Sequence, residues 1–141
     1  MEAHINQALH NEKFVEECCI NYPDTYFDWK VTATFYIALH LFRAFCEKRG
    51  VYPGATHYDI ACNFDPKRCN NKPLTQMPKF VWECYSKLQK YSEHARYEVF
   101  LDPEVENEIQ RDNYLHCVIL LKSLKEYFHK EGVPCISDKA A

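Results

Sequence analysis

The chain has 141 residues, 47% hydrophobic and 15% aromatic, which is enough apolar material for one ordinary domain to bury a core without disulfides or a metal. Only three glycines and seven prolines are present, and their clustering favours long helices over a many-turned β fold. A formal net charge of -3 excludes a uniformly basic clamp for nucleic acid and leaves room only for local basic patches.

The first predicted helix covers about Glu2 to Ile20, with Ile5, Ala8, Leu9, Val15 and Cys19 spaced along one side and Asn21, Tyr22 and Pro23 ending it. Asp24 or Thr25 is suited to cap a second helix that runs to about Arg49, before Gly50, and carries Trp29, Ala33, Tyr36, Leu39, His40 and Phe42. With almost no breaker, this is the expected central helix. From Gly50 to Pro78 the pattern dissolves among prolines, with a helical turn or two expected between Thr56 and Asn63; a connection this long often carries function. A third long helix is predicted from near Pro78 to about Phe100, with Phe80, Val81, Cys84, Leu88, Tyr91 and Ala95 on its apolar face. Asp102 and Pro103 open a turn before a fourth, from about Glu104 to Lys130, with Ile109, Val118, Leu121, Leu124, Tyr127 and Phe128 turned inward. The expected architecture is an all-α, four-helix up-and-down bundle over residues 1–136 with a long, partly irregular connection between helices two and three. Residues 137–141 read as a frayed tail.

No amino-terminal stretch joins a basic start to an apolar run and a cleavage site, and no apolar run is long enough to span a bilayer, so a cytoplasmic location without membrane association is expected. Eight cysteines in that setting read as reduced thiols. No CxxC pair is present, and no metal or other cofactor is expected.

The string Arg111-Asp112-Asn113-Tyr114-Leu115-His116 brings a guanidinium and an imidazole near the start of the last helix. Their Cα directions differ by roughly 140°, so only a side chain as long as arginine swings round to share a site with the imidazole. Asp112, about 40° from His116 on the same face, is placed to accept from the ring or to hold Arg111. Such a set suits phosphodiester chemistry, since histidine moves a proton near neutral pH and arginine holds phosphate through paired hydrogen bonds. An amphipathic helix also carries Arg and His simply as a solvated face, and that plain reading competes with the catalytic one.

Asp28, His40 and His57 make a second candidate polar site. Asp28 equally suits the positive end of helix two, and His40 an interior hydrogen bond. Arg96 is expected to pair with an acidic neighbour. Lys67, Arg68 and Lys72 form the clearest basic cluster and are candidates for RNA contact.

Taken together, Asp28-Trp29, Phe35-Tyr36, Ala38 and His40 in helix two, His57 in the connection, and Tyr85, Leu88 and Ala95-Arg96-Tyr97 in helix three resemble the signature of the HEPN superfamily over about residues 4–130. The resemblance implies a HEPN-like helical bundle. It implies as well a metal-independent endoribonuclease, of the kind found in toxin and anti-phage systems, whose Arg-polar-His motif matches Arg111, Asp112 and His116. A homodimer sharing the site across a two-fold axis, an RNA substrate, and a cognate antitoxin or regulatory protein are the implied partners. Val118 stands where members regulated by nucleotide modification often carry tyrosine, so that form of control is not implied. The alternative is a non-catalytic module of the same fold that binds a nucleotide or a protein partner.

Overall fold

The computed structural model describes residues 1–98 and 102–136. Among these the chain is all-helical and has five helices, one more than the four expected: α1 (Glu2–Asn21), α2 (Phe27–Lys48), α3 (His57–Phe64), α4 (Lys79–Tyr97) and α5 (Pro103–Lys130). The extra helix is the short piece in the connection. The expected continuation of helix three to Phe100 and the expected tail at 137–141 lie outside the described residues.

Local chemistry sets the boundaries. Helix α2 does not use Asp24 or Thr25 as its cap; Tyr26 takes that position in the left-handed region at φ 56°, without a side-chain cap bond. The carbonyl of Asp24 instead accepts from Asn107 Nδ2 at 3.0 Å, which ties this turn to α5. At the other end Gly50 adopts φ 72°, and Val51 N–H returns to Cys46 O at 3.0 Å, a glycine-stopped helix end. Helix α3 starts on a capping box in which Thr56 Oγ1 accepts from Asp59 N–H and Asp59 Oδ2 accepts from Thr56 N–H. Asp102 caps α5 by accepting from the N–H groups of Glu104 and Val105, and Pro103 fills the first turn where no N–H is needed.

Cross-helix contacts fix the directions. Tyr36 meets Arg96 and Phe42 meets Tyr85, so α4 runs antiparallel to α2. Tyr91 meets His116 and Phe80 meets Tyr127, so α5 reverses again. Helix α1 also runs against α2, with His4 beside His40 and the Met1 ammonium on Glu47. Phe27 against Tyr114 and Arg49 against Glu131 place α2 and α5 parallel and in contact. Helix α2 packs on α1, α4 and α5, and α4 packs on α5, while no packed interface joins α1 to α4 among the described residues.

The core is built around α2. Val31, Phe35, Ala38, Phe42, Ala44 and Phe45 are fully buried, and the Phe42 ring lies 4.9 Å from Phe64 of α3, 4.8 Å from Tyr85 of α4 and 6.3 Å from Phe128 of α5. Lys30 is also buried; its ammonium lies over the Phe27 ring and donates to Tyr22 O at 2.5 Å, so the charge ends at the backbone of the α1–α2 turn. All eight cysteines are free thiols. Burial pushes those of Cys46 and Cys117 up to about 12.

Four positions on the expected apolar faces instead face outward: Leu9, Trp29, Phe80 and Val118 are exposed. Replacing Phe42 by Ala removes a ring touched by three other helices and is expected to cost about 3–5 kcal/mol. Trp29→Ala, at a position 57% exposed, should stay within about 0.5 kcal/mol. Urea unfolding followed by circular dichroism separates the two.

Candidate active site

Helix α5 presents Arg111, Asp112 and His116 to solvent; all three are exposed. The imidazole is held by an aromatic hydroxyl: Tyr91 OH and His116 Nδ1 are 3.1 Å apart, with ring centroids at 6.2 Å. Two tautomers satisfy this bond. When Nδ1 carries the proton and donates to Tyr91, Nε2 is a base in the neutral ring and a proton donor once the ring is an imidazolium; when Tyr91 donates to Nδ1, the neutral ring carries its one proton on Nε2 and offers no base there. Asp112, expected to hold either His116 or Arg111, does neither, and among the described residues Arg111 and Asp112 have no hydrogen-bonding or ionic partner. The reason is geometric. Tyr91 approaches from α4 across the antiparallel α4–α5 contact and takes the ring nitrogen, while Asp112 and Arg111 stay exposed to solvent. Tyr91 appears in the sequence only as part of an apolar face, and nothing local marks its hydroxyl as the partner of a histidine 25 positions away.

Around these polar groups the outer face of α5 is apolar. Leu115, Val118 and Ile119 are 53%, 44% and 63% exposed, and they follow Arg111 at helical spacings of four, seven and eight. A single chain leaves this stripe in water.

The basic cluster divides. Lys67 lines a cavity of about 720 Å³ between the 64–79 segment and α4, where Lys79, Lys87 and Lys90 face it from the helix. Arg68 lies with its guanidinium 5.5 Å from the Tyr58 ring, and Lys72 is not among the lining residues. Lys90 immediately precedes Tyr91, so one turn of α4 touches both this cavity and His116.

Asp28 is not gathered with His40 and His57 into one site. Asp28 sits in the first turn of α2, about 18 Å of helix rise from His40, and its carbonyl accepts from Thr32 Oγ1. His40 pairs instead with His4, Nδ1 to Nδ1 at 3.1 Å with the rings stacked at 5.3 Å. His57 packs over Phe35 at 5.6 Å. His4 carried no signal in the sequence, because its partner lies on another helix. Arg96 takes no acid: Nε donates to Ser92 O at 3.2 Å and Nη1 to Tyr36 OH at 3.3 Å. Among the described residues no group of three or more His, Cys, Asp or Glu is arranged to hold a metal ion, and no helix is long and apolar enough to cross a membrane.

No known family model matches the chain, and neither the curated proteins nor the solved structures gave a significant match.

Burial is the first cause that lowers the pKa of His4, His40 and His57 below the ordinary 6.5; the positive charge of Arg43 adds to it for all three, and that of Arg96 for His57. A histidine kept neutral in the folded state is protonated first in the unfolded one, so stability is full above about pH 6.5 and falls as the pH drops through that value toward the folded pKa. The urea midpoint should decline between pH 7.5 and pH 5.5, and His40→Asn should make that decline shallower. Equal slopes for the two proteins would contradict this assignment.

Proposed function

We propose that the chain is a HEPN-type, metal-independent endoribonuclease that works as a homodimer, of the kind used as a toxin or anti-phage effector. The observation that carries this reading is the solvent-open His116 ring, hydrogen-bonded at Nδ1 to Tyr91, with an exposed and unpaired Arg111 five residues earlier on the same helix. A solvated face made only for solubility has no need of a hydroxyl from another helix to orient its imidazole.

In this reading Nε2 of one His116 takes the proton of an RNA 2′-OH as that oxygen attacks the adjacent phosphorus. The guanidinium of Arg111 stabilises the crowded, doubly anionic phosphorane. The P–O5′ bond breaks, the leaving oxygen takes a proton from the second His116, and the products are a 2′,3′-cyclic phosphate and a 5′-OH end. One chain supplies only one imidazole, so acid and base on opposite sides of the phosphate call for two. A two-fold contact through Leu115, Val118 and Ile119 brings the second copy while covering an otherwise wetted apolar stripe. The lysine-lined cavity beside α4 supplies the path for the flanking strand, since Lys90 and the His116 partner Tyr91 share one helical turn.

The alternative, a binding module of the same fold, draws on the lack of any side chain that fixes Arg111 and Asp112 within one chain. The two readings part in one assay. A mixed RNA pool incubated with the protein in EDTA should be cut to cyclic-phosphate ends, and His116→Ala or Arg111→Ala should each lower the rate by about 10²–10⁴-fold. Cutting that survives both substitutions, or no cutting by a protein shown to be dimeric, would sink the ribonuclease reading. Ile119→Asp should yield monomers by light scattering and lose cleavage with the dimer; an active monomer would remove the shared site.

A further inference from the structure

The outward strip of α2 reads Tyr36, His40 and Arg43 at helical spacing, each half-buried. Helix α1 flanks this strip on one side and helices α3 and α4 on the other. The His4–His40 and Arg96–Tyr36 contacts bring α1 and α4 to this strip, and no packed interface joins those two helices to each other among the described residues, so the strip lies in the gap between them. His4 enters from α1, His57 from α3 and Arg96 from α4, all half-buried as well. We infer that this groove binds a phosphate-class oxyanion, either free phosphate or the terminal phosphate of a monoester, between Arg43 and Arg96 with His40 and His57 beside it.

The argument rests first on unbalanced charge. Arg43 donates to Gly54 O at 2.9 Å and Ala55 O at 3.4 Å, and Arg96 to Ser92 O and Tyr36 OH. All four acceptors are neutral, and neither guanidinium has an ion-pair partner among the described residues. Two half-buried cations with only neutral acceptors are costly to hold in a fold unless an anion joins them. Each arginine commits fewer than half of its N–H donors to these bonds, and the planar fork that remains matches two oxygens of a phosphate. The carboxylates nearby do not cancel the charge. Glu47 is engaged by the Met1 ammonium and by His4 at 3.4 Å, while Glu93, on the His57 side, is exposed and accepts from Gln89.

A second, independent observation comes from orphaned polar atoms. The hydroxyl of Tyr85, a fully buried residue, has no hydrogen-bond partner, and Arg43 and Tyr36 are among the charged and polar groups acting on it. Ser92 Oγ, one turn before Arg96, and Nδ1 of His57 are likewise buried without partners. Buried polar atoms in proteins are nearly always satisfied, so three orphans on the α3–α4 side of one groove mark a place built for a polar guest. A cation does not suit it, since the arginines repel one and no metal-ligating set is present among the described residues. This site does not depend on the ribonuclease reading, because it shares no residue with α5.

The test is a titration of the full chain with inorganic phosphate at low ionic strength, followed by the ¹H–¹³C resonances of the histidine rings. Saturable movement of His40 and His57 is expected, with His116→Ala leaving it unchanged and Arg43→Gln or Arg96→Gln weakening it at least tenfold. Methyl phosphate in a parallel arm separates the sources: tighter binding than phosphate assigns an esterified ligand, and weaker binding assigns the free anion. Movement confined to His116, a linear response without saturation, or arginine variants that titrate like the wild type would overturn the proposal. Should either arginine variant fail to fold, the wild-type ring shifts decide it alone.

Discussion

The contact on which the rest of the molecule depends is Phe42 against Phe64, Tyr85 and Phe128. Three helices touch one ring on α2, and each touches it from a different side. That single convergence commits α2 to the interior and sets the heights of α3, α4 and α5 relative to one another. Aromatic rings suit this role because each buries a large area with few rotatable bonds to freeze. Once α2 is enclosed on those sides, its strip through Trp29, Tyr36, His40 and Arg43 is left to look outward.

The two polar regions are ordered in opposite ways. On α5 the functional groups stand in open solvent, and only His116 has a side-chain partner, so a symmetric neighbour would have to complete the set. In the α2 groove every member is half-buried and already pinned by neighbours, yet the fixed charges have no counter-charge. The first arrangement gains order from association and the second from a small anion. Tyr91 and Tyr85 show the difference on one helix: the hydroxyl of Tyr91 reaches a rim histidine, while that of Tyr85 ends inside without a partner.

Much of the helical layout was legible in the sequence. The stops at Tyr22-Pro23 and Gly50, the turn at Asp102-Pro103 and the apolar periodicity located the long helices, and the Thr56–Asn63 stretch the short one in the connection, because each signal is local. The errors have a common physical origin. Leu9 and Val118 fit the apolar spacing of their helices yet face water, since periodicity defines a stripe and not what covers it. Tyr26 rather than Asp24 takes the cap position of α2, and the Asp24 carbonyl is tied to Asn107, a contact across 83 positions that no local signal marks. The candidate site was visible as residue types on α5, whereas the Tyr91 bond and the His4–His40 pair depend on which helices become neighbours. Asp28, His40 and His57 form a candidate set in the sequence by their polar chemistry, and the length of α2 alone keeps the first apart from the second.

Two of the eight thiols acquire a use from where they sit. Cys46 on α2 and Cys117 on α5 are fully enclosed and held in the protonated form by burial, while Cys18 and Cys19 lie part-exposed on α1. A thiol-directed reagent that modifies Cys18 and Cys19 in the native chain meets Cys46 and Cys117 only when α2 and α5 separate. The protein thus carries a built-in clock for the opening of its central helix pair, readable by mass without any introduced label.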